Sequence, residues 1–286
     1  MKKSLAHLPE YKREELKLIV EKIRERIEPQ MLILFGSYAR DEWVEDTYIE
    51  NGVTYEYKSD YDILVIVKSV KIANSYDRWR KVKKSIRAFP IKTWTNIIVH
   101  TIEYVNTHLE KGHYFFTDIK KEGVMLYDNG SFELAREKEH LPADRKHTAK
   151  EHYEHWIQNA KDSYSMYESG LEKGLLREAA FNLHQCAERC YTTIELVFTN
   201  YKPKSHDLKK LSRMAANHDH AFFKVFPQGT DEQKNCFDLL NRAYVEARYK
   251  KDYKITKKQL EYLAQRVKKL QRLTNKICKE KIESFA

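Results

Sequence analysis

Met31-Leu32-Ile33-Leu34-Phe35-Gly36-Ser37-Tyr38-Ala39-Arg40 is an uninterrupted apolar run closed by Gly-Ser, and Ser59-Asp60-Tyr61-Asp62-Ile63-Leu64-Val65-Ile66-Val67 opens polar and turns apolar. Short apolar runs of this length, rich in Ile, Val and Leu and bounded by turn residues, predict buried strands over Met31–Phe35 and Asp62–Val67. Outward from them, Leu16, Ile19, Val20, Ile23 and Ile27 recur at helical spacing before Pro29. Tyr48–Glu50 and Val53–Tyr57 flank Asn51-Gly52, the dipeptide that favours a tight hairpin. A helix is expected over 75–88 with Asn74 as its N-cap and Pro90 beyond its end, a third strand over Trp94–Thr101 and a fourth around Val124–Tyr127.

Past residue 135 the strand signals stop. Residues 136–149 are polar and read as a linker. Tyr153, Trp156, Ile157, Ala160, Tyr164 and Tyr167 then form a helical stripe, and Leu176, Ala179, Ala180, Leu183, Ala187, Cys190, Tyr191, Ile194 and Val197 form another. A third helix is expected from Ser205. Thr230-Asp231-Glu232-Gln233 and Thr256-Lys257-Lys258-Gln259 are capping boxes that open two more. The expected fold class is α+β: a domain with a small mixed sheet over residues 1–135, a linker over 136–149, and an all-α bundle of about five helices over 150–286.

The composition narrows the function classes. Of 286 residues, 52 are Lys or Arg and 42 are Asp or Glu, a formal net charge of +10. Residues 1–140 hold 24 basic against 23 acidic side chains, and residues 141–286 hold 28 against 19. The excess therefore sits in the helical half, which points that half toward an anionic ligand such as RNA, or toward a solvated Lys-rich surface. No apolar run approaches the ~18 residues that span a bilayer, and the first residues, Met-Lys-Lys-Ser-Leu-Ala-His, lack a signal peptide's apolar core. A cytoplasmic location without a membrane partner is the expectation. The four cysteines, Cys186, Cys190, Cys236 and Cys278, form no CxxC pair and read as buried thiols.

Each piece of the opening stretches has a chemical use. Gly36 lets the backbone approach a ligand, and amides following it could meet a phosphate. Asp60 and Asp62 are i,i+2, so in an extended strand they share one face roughly 7 Å apart along the chain. Two carboxylates on one face suit a hard cation such as Mg²⁺ in phosphoryl chemistry. An ordinary turn before a solvated strand edge is the plainer reading of Ser-Asp-x-Asp taken alone; the ordered pair of stretches is more specific.

Phe35-Gly36-Ser37-Tyr38-Ala39-Arg40 together with Ser59-Asp60-Tyr61-Asp62-Ile63-Leu64-Val65 resembles the signature of the nucleotidyltransferase superfamily that includes DNA polymerase beta, and more narrowly its minimal and kanamycin-type members. The resemblance covers residues 28–130. It implies Mg²⁺ as cofactor and ATP or another NTP as donor, with transfer of a nucleoside monophosphate to a hydroxyl on a small molecule or protein. Gly36 and Ser37 would hold the triphosphate, Arg40 would be a secondary phosphate contact, and Asp60 and Asp62 would bind metal. There are two departures. Ser37 and Asp60 stand 23 positions apart, longer than the compact form, with the Asn51-Gly52 hairpin in the insert. Asn96 occupies the position of the third carboxylate, and an amide can ligate through its carbonyl but cannot accept a proton as a base. His100 shares its strand face as a distant substitute.

The helical pattern, Ser205-His206-Asp207-Leu208 and Ala243-Tyr244-Val245-Glu246-Ala247-Arg248-Tyr249 resemble a HEPN domain over residues 147–280. Ribonucleases of that family pair an Arg with a His; here Arg248 is followed by Tyr253 at the expected His, and a Tyr hydroxyl, with a pKa near 10, is a poor base. Arg248 and Tyr253 then read either as a phosphate or nucleotide contact or as a packing pair. The resemblance implies association of two copies. The alternatives to transfer are a catalytically weakened nucleotide- or RNA-binding protein, and a fused toxin–antitoxin-type module whose HEPN domain has no RNase activity.

Overall fold

The structure is a computed structural model that describes residues 1–50, 53–138 and 141–285, with the backbone alone for 46–50 and 53–57. The chain divides into two compact units, the first built on residues 1–48 and 56–139 and the second on residues 140–286.

The first unit runs α1 (Glu10–Arg24), β1 (Pro29–Phe35), a single turn α2 (Ser37–Arg40), β2 (Glu45–Glu50), β3 (Val53–Lys58), β4 (Tyr61–Val67), α3 (Val70–Ala73), α4 (Tyr76–Arg87), β5 (Thr95–Thr101), α5 (Ile102–Glu110), α6 (Tyr114–Glu122) and β6 (Val124–Asp128). Its sheet is four-stranded and mixed, in the order β5-β4-β1-β6, with β4 and β6 antiparallel to β1 and β5 parallel to β4. Both central strands are buried nearly throughout, which explains why their sequences are continuous apolar runs and not alternating ones. Leu16, Ile19 and Ile23 of α1 and Trp79, Val82 and Ile86 of α4 face the core formed with Leu32, Leu34, Ile63, Val65 and Val67. β2 and β3 pair as a separate two-stranded hairpin, as Asn51-Gly52 suggests; those two residues themselves lie outside the described ones.

Two local readings change. Asn74 closes α3 as its C-cap, and Ser75 takes the N-cap of α4. The chain after β5 turns directly into α5, with the Thr101 hydroxyl accepting the Tyr104 N–H, and α6 follows; neither helix was anticipated.

The second unit is all helical: α7 (Pro142–Glu172), α8 (Leu176–Thr199), α9 (Leu208–Ala216), a 3-10 turn His220–Phe222, α10 (Asp231–Tyr249) and α11 (Lys257–Glu283). The linker expected over 136–149 is shorter than that. Pro142 sits in the first turn of α7, where its missing N–H costs nothing, so residues 142–149 are helix. α9 starts at Leu208 and not at Ser205, because Asp207 is its N-cap, accepting from the Lys209 and Lys210 amides. Both capping boxes form, at Thr230/Gln233 and Thr256/Gln259. α8 is the buried centre: Leu183, Ala187, Cys190, Tyr191, Ile194 and Val197 pack with Leu240 and Ala243 of α10 and with Leu263, Val267 and Leu270 of α11. Gly170 lets α7 come close to α8: a Cβ there would stand 3.3 Å from the Ala179 nitrogen. All four cysteines are buried free thiols. Among the described residues no helix is long and apolar enough to cross a membrane.

Candidate active site

The sheet register builds the site. Phe35 of β1 stands opposite Asp62 of β4, and Asp62 stands opposite Asn96 of β5. The residue after Phe35 therefore passes directly beside Asp62. That residue is Gly36, with φ of +75°, a conformation that favours glycine. A Cβ built on it would lie 2.7 Å from Asp62 Oδ2, so no side chain fits without displacing the carboxylate. Gly36 thus meets two demands at once, a left-handed backbone and contact with an acidic oxygen.

Asp60 precedes β4 in a segment pinned on both sides. The Ser59 N–H donates to the Val44 carbonyl, the Ser59 hydroxyl accepts the Val44 N–H, and the Tyr61 N–H donates to the Trp94 carbonyl. Asp60, Asp62, Asn96 and Ser37 are all buried, at 5, 6, 4 and 8% exposure. The Asn96 amide donates from Nδ2 to Asp62 Oδ1 at 2.8 Å. This orientation leaves Asn96 Oδ1 buried with no partner, and the Ser37 hydroxyl is likewise buried and unpartnered. An orphaned oxygen on the amide that holds Asp62, and an orphaned hydroxyl on the residue after the glycine that packs on Asp62, are what a cation and a phosphate would satisfy.

No cluster of three or more His, Cys, Asp or Glu with metal-site geometry occurs among the described residues. The available donor set at this site is Asp60, Asp62 and the Asn96 carbonyl, all hard oxygens, and it fits Mg²⁺ better than a thiol- or imidazole-seeking metal.

Two expected members stand elsewhere. Arg40 ends the α2 turn and is engaged by acidic side chains, with Nε donating to Glu42 at 2.6 Å and a longer ion pair to Glu122 at 3.6 Å. It is a partly exposed surface ion pair and is not brought to the aspartates. His100 is buried in an aromatic stack, 4.3 Å from the Tyr104 ring, which in turn lies 4.0 Å from His108. It sits four residues along β5 from Asn96, roughly 13 Å at strand rise, and is part of a packed wall and not a substitute base.

In the helical unit the Arg248–Tyr253 pair comes apart. Tyr253 is a core side chain, 5% exposed, whose hydroxyl donates to the Leu239 carbonyl at 3.1 Å. Burial raises its hydroxyl well above the usual range, so it stays protonated and cannot act as a base. Arg248 is on the surface of α10, over the rings of Tyr244 (4.6 Å) and Phe181 (4.8 Å), with Nε donating to the Tyr244 carbonyl. A histidine that stands near Arg248 on the surface is His206. Its ring stacks on Tyr244 with centroids 3.8 Å apart, and Nδ1 meets Glu188 Oε2 at 2.9 Å. The two stretches that carried the helical resemblance therefore converge on one tyrosine. Sequence spacing could not reveal this, since His206 and Arg248 lie 42 positions apart.

A family model described as the HEPN domain matches residues 153–277. No curated protein matches the chain.

His184 lies beneath this cluster, fully buried, with Nε2 donating to the His206 carbonyl at 3.0 Å and Nδ1 standing 3.7 Å from Glu188 Oε2, beyond hydrogen-bond distance. Burial pushes its pKa down from 6.5 to about 4, and the hydrogen bond to the His206 carbonyl offsets only part of that. The folded helical unit thus refuses a proton that the unfolded chain accepts between pH 6.5 and about 4. Stability falls as pH drops through that window, by about 3 kcal/mol from this residue. Urea unfolding followed by circular dichroism from pH 7 to 4 checks it: His184→Gln flattens the slope, and an unchanged slope contradicts the assignment.

Proposed function

We propose that the first unit transfers a nucleoside monophosphate from an NTP, with ATP the first candidate, to a hydroxyl acceptor. The observation that carries this reading is the packing of Gly36 against Asp62, in register with Asn96, with the Ser37 hydroxyl and Asn96 Oδ1 left without partners. An apolar strand ended by Gly-Ser and a neighbouring strand opened by two carboxylates are what the resemblance to the nucleotidyltransferases requires, and they support it in three dimensions.

In the reaction the acceptor oxygen attacks the α-phosphorus of the NTP, an O–P bond forms, and the bond to pyrophosphate breaks. Asp60 and Asp62 would hold Mg²⁺, which when bound neutralises charge on the phosphate oxygens. The chain's own residues do the rest. Gly36 keeps a Cβ out of the space beside Asp62, and the Ser37 hydroxyl donates to a phosphate oxygen. Asn96 holds Asp62 in place through Nδ2. Because Asn96 carries no proton-accepting oxygen of carboxylate strength, the acceptor's proton leaves to water or to phosphate, and turnover is slow relative to a site with three carboxylates. The insert between Ser37 and Asp60 is the element on which acceptor choice would depend.

A second reading concerns the helical unit: an RNase-inactive HEPN domain that binds a nucleotide or RNA phosphate. The convergence of Arg248 and His206 on Tyr244, in the half of the chain with the basic excess, favours it. It also accommodates a fused toxin–antitoxin-type module.

Two experiments separate these readings. Incubation of the full chain with α-labelled ATP, Mg²⁺ and lysate is expected to label an acceptor, and Asp60→Ala or Asp62→Ala to reduce the label at least 100-fold; label that survives both substitutions rules out this site. For the helical unit, single-stranded RNA binding measured on filters is expected to weaken about tenfold in Arg248→Ala and to fall steeply with salt. Affinity that is flat in salt and unmoved by the substitution discards the second reading.

A further inference from the structure

Lys12 reads in sequence as an ordinary solvated residue in the first turn of an amphipathic helix. In the structure it is the one buried lysine among the described residues, with 0% exposure. Burying an ammonium is costly unless every proton finds a partner and the charge is matched. Here Nζ donates to the Thr93 hydroxyl at 2.7 Å, to the Tyr38 hydroxyl at 3.0 Å and to the Glu45 carboxylate, which uses all three protons and supplies the counter-charge. The rings of Tyr38, Tyr11, Trp43 and Tyr61 surround it, with centroids 5.2, 5.3, 5.4 and 5.6 Å away, within cation–π range.

What those partners are attached to matters more than their number. Tyr38 follows Ser37 directly. Tyr61 stands between Asp60 and Asp62, and by strand alternation its side chain points to the opposite face of the sheet. Thr93 leads into β5, three residues before Asn96. Glu45 is at the root of the hairpin insert. The same rings also contact one another: Tyr38 and Tyr61 lie 4.5 Å apart, and Tyr38 stacks on Trp43 at 5.3 Å and 8°. The Tyr61 hydroxyl donates to Glu15 Oε2 at 2.8 Å, whose other oxygen accepts the Lys92 N–H. The three segments that present Gly36-Ser37, Asp60/Asp62 and Asn96 on one face are therefore gathered at one ammonium on the other.

We propose that Lys12 is a positioning residue for this site: its ammonium, held in a cage of four aromatic rings, sets the mutual placement of Gly36-Ser37, Asp60/Asp62 and Asn96, and tethers the insert to them through Glu45. The effect on turnover rests on the transfer reading given above; the positioning itself does not. An aliphatic side chain of the same length would fill the cage but could neither donate three hydrogen bonds nor engage the ring faces electrostatically. The segments would then keep their places in the sheet while losing their common anchor. A lysine that merely stabilised the unit would, on removal, lower stability without singling out these segments.

The test uses the full chain with Lys12→Met and, as a reference, Ile23→Ala, which opens a core cavity on the same helix away from Lys12. Amide hydrogen exchange is followed by mass spectrometry, and labelled-ATP transfer is measured under varied ATP. In Lys12→Met, exchange over residues 36–40 and 59–64 is expected to rise at least tenfold above that in Ile23→Ala, and kcat to fall at least tenfold while KM for ATP stays within threefold. Equal exchange over those segments in the two variants overturns the positioning role. A wild type that transfers no label overturns the transfer reading alone, because the exchange comparison still decides the role of Lys12. If Lys12→Met does not fold, Thr93→Val removes one of the three acceptors and is expected to raise exchange over the same segments at least threefold; no rise there also overturns the proposal.

Discussion

The contact between Gly36 and Asp62 is the constraint on which the first unit depends. Register alone brings Phe35, Asp62 and Asn96 abreast across three strands. The chain leaving β1 must then pass an acidic side chain with no room for a Cβ, and it must do so with a positive φ. Only glycine meets both conditions without strain. Once it does, Ser37 opens α2 with its hydroxyl buried and unpartnered. A larger residue at 36 would push Asp62 aside and break its hydrogen bond from Asn96. Site and fold are in this respect the same piece of geometry, since the strand pairing that buries Leu34 and Ile63 also aligns the polar groups at its end.

Much of this was legible in the sequence because the relevant signals are local. Continuous apolar runs mark strands buried on both faces, and Gly-Ser and Ser-Asp-x-Asp mark where those runs stop. The capping boxes at Thr230 and Thr256 are signatures read within four residues, and both form. What escaped was decided by tertiary neighbours. Beyond its neighbour Tyr11, Lys12 carries no sign in its own helix that three aromatic rings from distant segments will enclose it. Tyr253 reads either as a phosphate contact or as a packing residue, and it is a core residue because the chain after α10 folds back over Leu239. Arg40 was assigned by its place in a motif, and two glutamates claim it. Asn74 and Ser75 are equally good caps by type, and the extra helix α3 decided between them.

The helical unit works under a different constraint. Its centre, α8, is buried on nearly all sides, so polar groups on it must find partners within the bundle or remain without. The Arg189 guanidinium donates to the Asn159 carbonyl and the Ser163 hydroxyl, and Gln271 reaches Cys186. His184 bonds through one ring nitrogen only, and its burial holds its pKa below the usual imidazole range. The surface above it brings Arg248 and His206 onto Tyr244, with Glu188 paired to His206, within the residues that the family model matches. The acidic pair lies in a half of the chain that is nearly charge-balanced and the Tyr244 cluster in the half that carries the basic excess, so the net charge of the whole chain describes neither.

The central claim is that Asp60, Asp62 and the oxygens around them form one cation site completed by a nucleotide. Titration of Mn²⁺ into the full chain with a nonhydrolysable ATP analogue, followed by electron paramagnetic resonance, addresses it without requiring turnover. The account predicts that the free Mn²⁺ signal falls beyond the loss caused by the analogue alone, and that Asp62→Asn abolishes this additional loss. A free-ion signal that the protein leaves unchanged, or an additional loss that Asp62→Asn leaves intact, would contradict it.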